Sequence, residues 1–171
     1  LKARNNLMFF GGINGFNMFD AEKIKTNPNV PQVYITAFRV FNKPLTFDKA
    51  IYSVEHIELS HRQNFFTIEF AALDYYAPEK NNYAFLLEGI DPGWTFAGTK
   101  NYASYTNLDP GEYQFRVKGS NSDGIWNEES RNLTIKIRPP FWMTWWFRLL
   151  GTFVILVILA GIFFDIRQRA E

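Results

Sequence analysis

The two histidines, His56 and His61, are the first candidates for a metal site or for acid–base catalysis in this chain of 171 residues. They are five residues apart around a short apolar alternation, and an odd spacing along a strand points side chains to opposite faces. A shared metal ion is therefore not expected. The sequence contains no cysteine, which removes thiolate metal sites, disulfides and a cysteine nucleophile.

The carboxylates and serines lack the neighbours that their chemistry requires. Glu55, Glu58 and Glu69 form no recognisable acid–base pair and are expected on solvated strand faces. Ser60 and Ser104 have no strand–turn–helix context of the kind that exposes a nucleophilic serine. We therefore predict no catalytic, cofactor-binding or metal-binding residue in this segment, and we do not expect the segment to be an enzyme.

Trp94 and Trp126 have two possible uses. Tryptophans near loops stack on sugar rings, which would make the chain a carbohydrate-binding module. Large aromatic side chains also fill cores, and we expect both residues to close the ends of a folded domain. A nucleic-acid partner is not expected, because the formal net charge is +1 and no basic cluster is interleaved with aromatic residues.

The elements that carry these side chains are mostly strands, and aromatic residues, 18% of the chain, suit a pleated surface. About seven short strands with turns between them and no helical pattern predict an all-β fold, an immunoglobulin or fibronectin III-like β-sandwich over 30–138. Tyr113 follows the tight turn 108–112 and is placed to form a tyrosine corner. The apolar runs with strand character are 33–41, 57–59, 66–72, 83–87, 113–118 and 133–137.

The C-terminal part of the sequence predicts a transmembrane α-helix. Residues 149–164 contain no charged side chain, and a helix over 142–164 would be about 34 Å long, enough for a hydrocarbon core of about 30 Å. Trp142, Trp145 and Trp146 are typical of an interfacial aromatic belt. The alternative is a buried core helix of a soluble protein. Arg167 and Arg169 favour a cytoplasmic C-terminus.

Two further segments complete the organisation. Residues 7–19 are two apolar runs around Gly/Asn turn residues, which predict a β-hairpin that belongs to a larger sheet. Residues 27–31 form a proline-containing linker, and Pro139 and Pro140 form a short, stiff joint between the last strand and the aromatic belt. No signal peptide begins the chain, so we expect it to be a piece of a longer protein.

Several stretches resemble a known family. Residues 83–91, 105–108 and 111–113 are similar to the Y_Y_Y domain, and its three name-giving tyrosines would be Tyr83, Tyr105 and Tyr113. Residues 9–19 resemble the last repeat of a two-component regulator propeller. The resemblance divides the chain into 1–29 (end of a β-propeller repeat and linker), 30–138 (sandwich), 139–164 (joint, belt and transmembrane helix) and 165–171 (start of a cytoplasmic helical linker). The family motif consists of Tyr83, Gly89, Asp91, Trp94, Tyr105, Tyr113, Asn121, Gly124 and Trp126.

The order of these parts resembles the sensor half of hybrid two-component histidine kinases from Bacteroides-type bacteria. This resemblance implies a single-pass protein of the bacterial inner membrane, periplasmic before the helix, that binds a glycan upstream of this segment. It also implies a homodimer through the sandwich and the membrane helix, with lipid as a further partner. The segment would relay glycan sensing across the membrane to a kinase. A transcriptional regulator without a kinase and a membrane-tethered carbohydrate-binding module are the alternatives.

Overall fold

The structure is a computed structural model that describes residues 7–23 and 26–170. Residues 1–6, 24–25 and 171, which the expected first and last segments include, lie outside the described residues. A hairpin, a β-sandwich and a helix follow one another along the chain. The elements are β1 Leu7–Gly12, β2 Gly15–Asp20, β3 Val33–Val40, β4 Lys43–Pro44, β5 His56–Leu59, β6 Phe65–Ala72, β7 Asn82–Leu87, β8 Thr95–Gly98, β9 Tyr102–Thr106, β10 Gly111–Ser120, β11 Arg131–Ile137 and α1 Trp145–Ala170.

The sandwich consists of two sheets, which confirms the predicted fold class. One sheet has the order β5-β11-β10-β7-β8 and the other has the order β4-β3-β6-β9. Neighbouring strands are antiparallel except β5 and β11, which are parallel. The strands β3 and β5 are close in sequence but lie in different sheets, so the N-terminal part of the sandwich contributes strands to both layers.

The core lies between the sheets and is dominated by aromatic side chains. Phe66, Ile68 and Phe70 of β6 are fully buried and alternate with partly exposed neighbours. The Phe70 ring centroid lies 6.1 Å from that of Phe115 in the opposite sheet. Burial of each such side chain contributes about 1.5–3 kcal/mol. The alternation in the sequence therefore corresponds to this single interface between the layers.

Three strands were not predicted from the sequence: β4, β8 and β9. The strand β9 alternates, but its buried positions include the small Ala103, which weakens the apolar pattern. The strands β8 and β4 are edge strands whose residues are largely exposed, so neither carries apolar alternation. An edge strand forms because its backbone pairs with a neighbouring strand. Apolar alternation in a sequence indicates buried side chains, and an exposed edge strand has few of them.

The helix α1 begins three residues later than expected, because Trp142 lies in a 3-10 turn, Phe141–Met143, and Thr144 is extended. Among the described residues, α1 is the helix that is long and apolar enough to cross a membrane, judged by length and composition. Its span Trp145–Arg169 is not buried against the rest of the chain. The helix is therefore not the core helix of this domain.

Candidate functional site

The strand register gives the sandwich two ends, which we name by what leaves them. The strand β11 runs toward α1, so the end at Ile137 is the helix end. The loops 41–42, 60–64, 88–94 and 107–110 lie at this end. The opposite end, where the segment 26–32 enters, is the linker end, and it includes the loops 73–81, 99–101 and 121–130. The incoming linker and the outgoing helix therefore attach at opposite ends of the sandwich.

Tyr83 joins the two sheets near the linker end. This residue belongs to β7, and its hydroxyl oxygen accepts a hydrogen bond of 3.2 Å from the backbone N–H of Ala72 in β6. Both residues are buried, and the Tyr83 ring also contacts Phe70. The contact is a polar link between two layers whose shared core is mainly apolar.

Tyr105 makes the corresponding link at the helix end. Its hydroxyl donates a hydrogen bond of 2.7 Å to Asp91, in the loop after β7, and the same carboxylate oxygen accepts the Leu87 N–H at 2.7 Å. Gly89 precedes Asp91 with φ of 87°, a value that favours glycine. Burial raises the pKa of Tyr105 far above its ordinary value, and the hydrogen bond and the negative charge of Asp91 raise it further.

Tyr113 has the tyrosine-corner geometry that the turn before it predicts. Its hydroxyl donates to the backbone carbonyl of Asp109 at 2.8 Å. The loop that carries Asp109 connects β9 to β10 and therefore crosses from one sheet to the other. Burial raises the pKa of Tyr113, with a smaller contribution from the Asp109 charge. All three tyrosines thus use their hydroxyls to fix one part of the sandwich to another.

We predict that Tyr105 makes stability pH-dependent in alkali. The folded pKa is raised above the ordinary value of 10.0, so the folded state holds this proton more tightly than the unfolded chain does. The contribution is fully present below about pH 10 and is lost as the pH rises toward the folded pKa. Denaturant unfolding of the wild type should show this decline, and Tyr105→Phe should show less of it while losing about 1 kcal/mol at neutral pH.

The exposed Tyr76 supplies the matched control for this measurement. Its side chain is 80% exposed, so Tyr76→Phe should leave both the neutral-pH stability and its decline in alkali unchanged. An equal alkaline decline in wild type and Tyr105→Phe would contradict the prediction.

Asn121 fastens the linker to the sandwich at the linker end. Its side chain is fully buried, and its amide nitrogen donates to the carbonyls of Asn27 and Asn29 at 2.7 and 2.8 Å. Its amide oxygen accepts from the N–H groups of Asp123 and Ile125 at 3.0 and 2.9 Å. One side chain therefore orders its own loop and holds the incoming chain.

Asn27 is held from two further sides. Its amide nitrogen lies 3.1 and 2.9 Å from the two carboxylate oxygens of Asp74, which is only 5% exposed. Its backbone N–H donates to the carboxylate of Asp123 at 2.5 Å. We call Asn27, Asn29, Asp74, Asn121 and Asp123 the linker clamp. The clamp makes the linker continuous with the folded domain.

Sequence reasoning identified Asn121 by family resemblance and missed the clamp's other members. Asn127, also missed, donates its side-chain N–H to the Pro31 carbonyl at 3.0 Å. Gly124, in the same loop, has φ of 82°, which allows the turn to close over Asn121. The partners in the linker and the loop are more than ninety residues apart in sequence. In the sequence, the high density of Asn and Asp in three loops was the one indication of these linker contacts.

The Pro139–Pro140 joint is docked on the helix end. The Arg138 N–H donates to the Leu59 carbonyl at 2.8 Å, and its guanidinium pairs with Glu58. Pro140 is buried, whereas Pro139 is exposed. Beyond the prolines, the Trp142 ring packs edge-on against His61 with centroids 5.3 Å apart. The connection between sandwich and helix is therefore short and attached to the domain.

The belt residues differ in their surroundings. Trp142 is 46% exposed and touches the sandwich through His61, whereas Trp145 and Trp146, the first residues of α1, are 74% and 51% exposed. Trp146 packs edge-on against Phe147, with centroids 5.9 Å apart. These side chains of the aromatic belt thus lie together at the start of the helix.

Trp94 and Trp126 lie on the outer face of the five-stranded sheet, and the expectation that they close its ends is wrong. Lys118 points outward, since Val117 and Gly119 beside it are buried, and its ammonium lies 5.0 and 5.8 Å from the two ring centroids. Phe96 contacts Trp126 edge-on at 5.7 Å. Both tryptophans are half-buried. We call Trp94, Phe96, Lys118 and Trp126 the aromatic–lysine cluster.

The histidines and carboxylates are dispersed. His56 lies in β5 and is exposed, whereas His61 lies in the following loop. Glu58 pairs with Arg138, and Glu69 with Arg39 at 2.5 Å. Within residues 7–23 and 26–170, no group of three or more His, Asp or Glu side chains is arranged to hold a metal ion.

Comparison with known proteins identifies the second half of the sandwich: residues 74–138 match the model of the Y_Y_Y domain. The likeness to the Y_Y_Y domain concerns this matched segment. The segment contains all three tyrosines with sheet-linking or corner contacts and supplies β7 to β11. The strands β3 to β6 precede it, yet they contribute Phe38, Phe66 and Phe70 to the same core. The matched segment therefore folds as one unit with residues 33–72.

Solved structures extend the likeness beyond the matched segment. The extracellular domain of the hybrid two-component system BT3049 from B. thetaiotaomicron is 33% identical, with a TM-score of 0.66 over 81% of this chain. The extracellular domain of BT4673 from the same organism is 28% identical, with a TM-score of 0.60 over 81% of this chain. This chain therefore has the fold and sequence character of extracellular domains of Bacteroides two-component sensors.

A curated relative spans the entire chain. Histidine kinase P4 of Formosa agariphila is 30% identical over 178 residues, which cover 100% of this chain. The chain spans 13% of that relative and 19% of each of the two solved chains. The likeness therefore concerns the region around the Y_Y_Y domain, and the kinase activity in the name is a property of the relative.

Proposed function

We propose that this chain is the juxtamembrane coupling segment of a hybrid two-component sensor histidine kinase. The segment relays the state of an upstream glycan-binding propeller across the inner membrane. The observation that carries the proposal is that the sandwich is fastened at both ends. The linker clamp holds the incoming chain, and the docked Pro139–Pro140 joint holds the outgoing one.

A mechanical relay requires that force applied at one end is not dissipated before the other. At the linker end, Asn121 holds the incoming backbone at two carbonyls. Inside the domain, Tyr83 and Tyr105 add polar links between the sheets to the aromatic core. At the helix end, Pro140 has φ fixed near −65° and is buried. Each step of this path is a short, specific contact.

The upstream part of the proposal is supported by exposed apolar surface on the β1–β2 hairpin. The β1–β2 hairpin exposes Phe10, Ile13 and Phe16 at 57%, 105% and 69%, and it pairs with no other strand among the described residues. Two strands alone are marginal in water, so a propeller blade is a fitting completion. In a homodimer, displacement of two sandwiches would change the spacing of two helices and shift a two-state element downstream.

The topology is tested by cysteine labelling, since the chain has no native cysteine. A membrane-impermeant maleimide added to intact spheroplasts should label Thr99→Cys at the linker end. Gln168→Cys, near the end of α1, should be labelled only after lysis. Equal labelling of both variants in intact spheroplasts would show that α1 does not cross the membrane and would overturn the proposal.

A regulator without a kinase would use the same extracytoplasmic build. The solved relative BT4673 is described both as a one-component and as a hybrid two-component system, so the likeness fits both types. Sequencing the coding region downstream distinguishes them. A histidine-containing pair of dimerisation helices indicates the kinase, and a DNA-binding module without it indicates the regulator.

The aromatic–lysine cluster is the observation that favours a carbohydrate-binding module. However, Lys118 is only 14% exposed and lies over both indole rings, so the rings are already partnered. We predict that Trp94→Ala and Trp126→Ala each lower the free energy of unfolding by about 1–3 kcal/mol without changing retention on immobilised glycans. Phe96→Ala, at a position 69% exposed, should have a smaller effect on stability. Glycan retention that falls with a Trp variant would instead support the binding module.

A further inference from the structure

The turn between β3 and β4 presents a bulky apolar residue in an unfavourable conformation. Phe41 and Asn42 have φ of 48° and 62°, the left-handed pair of a two-residue hairpin turn. Such a turn favours Asn and Gly, and a bulky residue there is a rare outlier. Phe41 is nevertheless 53% exposed. Burial in the core therefore does not explain why an aromatic residue occupies this unfavourable backbone position.

The position of this turn relates it to the membrane helix. The Phe41 N–H donates to the Phe65 carbonyl at 3.2 Å, and the two rings lie 6.0 Å apart. Phe65 directly follows the loop 60–64, whose His61 packs against Trp142 of the aromatic belt. The exposed Phe41 therefore lies at the helix end, and the loop 60–64 connects its neighbour Phe65 to the contact with the aromatic belt.

Charge distinguishes this corner from the rest of the helix end. Lys43 follows the turn and Arg62 lies in the adjacent loop, and both are exposed. Asp109 and Glu112 lie around the start of β10, which belongs to the other sheet. A corner that combines an exposed aromatic residue with the basic Arg62 matches the requirements of an anionic lipid–water interface.

We propose that the Phe41–Asn42 turn inserts into the headgroup region of the bilayer that α1 crosses and forms a second membrane contact of the sandwich. This inference rests on the membrane-spanning role of α1 in the proposed function. The occupant is lipid because the docked joint brings this corner toward the same interface as Trp142 and Trp145. A helix and a loop tip together fix the tilt of the domain, which a single helix does not do.

The test uses the whole chain, reconstituted in vesicles of phosphatidylethanolamine and phosphatidylglycerol. Nitroxide labels are attached to Lys43→Cys, beside the turn, and to two references, Ile158→Cys within α1 and Thr99→Cys at the linker end. Power saturation then compares collisions with oxygen, which concentrates in hydrocarbon, and with a water-soluble nickel chelate. The label at 43 should read within about 5–10 Å of the headgroup–acyl boundary, between the two references.

Substitution of Phe41 supplies the decisive comparison. Asn tolerates positive φ, so Phe41→Asn should keep the turn and shift the label at 43 to the aqueous value of position 99. Phe41→Leu keeps the apolar side chain and should leave the reading unchanged. Near-ultraviolet circular dichroism of both variants verifies that the sandwich is folded.

The outcomes separate this inference from the function beneath it. An aqueous reading at 158 means that α1 does not span, and the proposed function fails. A deep reading at 158 with an aqueous reading at 43 overturns the turn contact alone. Spin–spin broadening at 43 would mean that a second copy covers the corner, and it too overturns the lipid contact. An unchanged reading after Phe41→Asn has the same consequence.

Discussion

Replacement of Asn121 by Ala is expected to lower the free energy of unfolding by about 2–4 kcal/mol and to release the linker. The side chain is fully buried and makes four hydrogen bonds, two to linker carbonyls and two to N–H groups of its own loop. Alanine leaves the Asp123 and Ile125 N–H groups without this acceptor. The cost is high because one side chain serves both segments.

The measurement combines denaturant unfolding with hydrogen exchange of residues 26–32. Asn101→Ala is the matched control, because Asn101 is exposed and its backbone carbonyl, which accepts the Phe70 N–H at 2.9 Å, is retained. In the full-length sensor that we propose, Asn121→Ala should also weaken the ligand response. Protection of the linker that matches the wild type would mean that Asn121 is not the fastening residue.

A flexible Gly-Ser-Gly-Ser insertion between Pro140 and Phe141 is expected to reduce the ligand response of the proposed full-length sensor to its unstimulated level. Four such residues add about 11 Å of root-mean-square spread between sandwich and helix. The insertion also separates Trp142 from His61, whose rings now lie 5.3 Å apart. Displacement of the sandwich would then be absorbed in the joint.

The structural effect of the insertion is measurable in this chain without a ligand. Nitroxide labels at Glu112→Cys and Val154→Cys report the distance between sandwich and helix by pulsed electron resonance. The distribution should be narrow in the wild-type joint and broad after the insertion. The same four residues placed between Asp48 and Lys49, in an exposed loop, should change neither readout. A full ligand response despite a broadened distance distribution would contradict the mechanical relay.

Three features of this chain follow from the sequence because each is local to one segment. The alternation of Phe66, Ile68 and Phe70 with wetter neighbours indicates a strand with one buried face, whatever the rest of the chain does. The uncharged stretch 149–164 is likewise a local property that composition alone reveals. Tyr113 was also predictable, since the turn and the tyrosine that bonds back to it are adjacent in sequence.

The contacts that fasten the domain could be decided only by the tertiary structure. Asn27 and Asn121 are 94 residues apart in sequence. Tyr83 and Ala72 are only 11 residues apart but meet across the two layers, and neither pair has a local pattern. The same limit explains the error for Trp94 and Trp126: an aromatic residue near a loop fits a sandwich end or an outer face equally well. Hydrophobic periodicity is a property of neighbouring residues, whereas a polar link depends on which loops the topology brings to the same end of the sandwich.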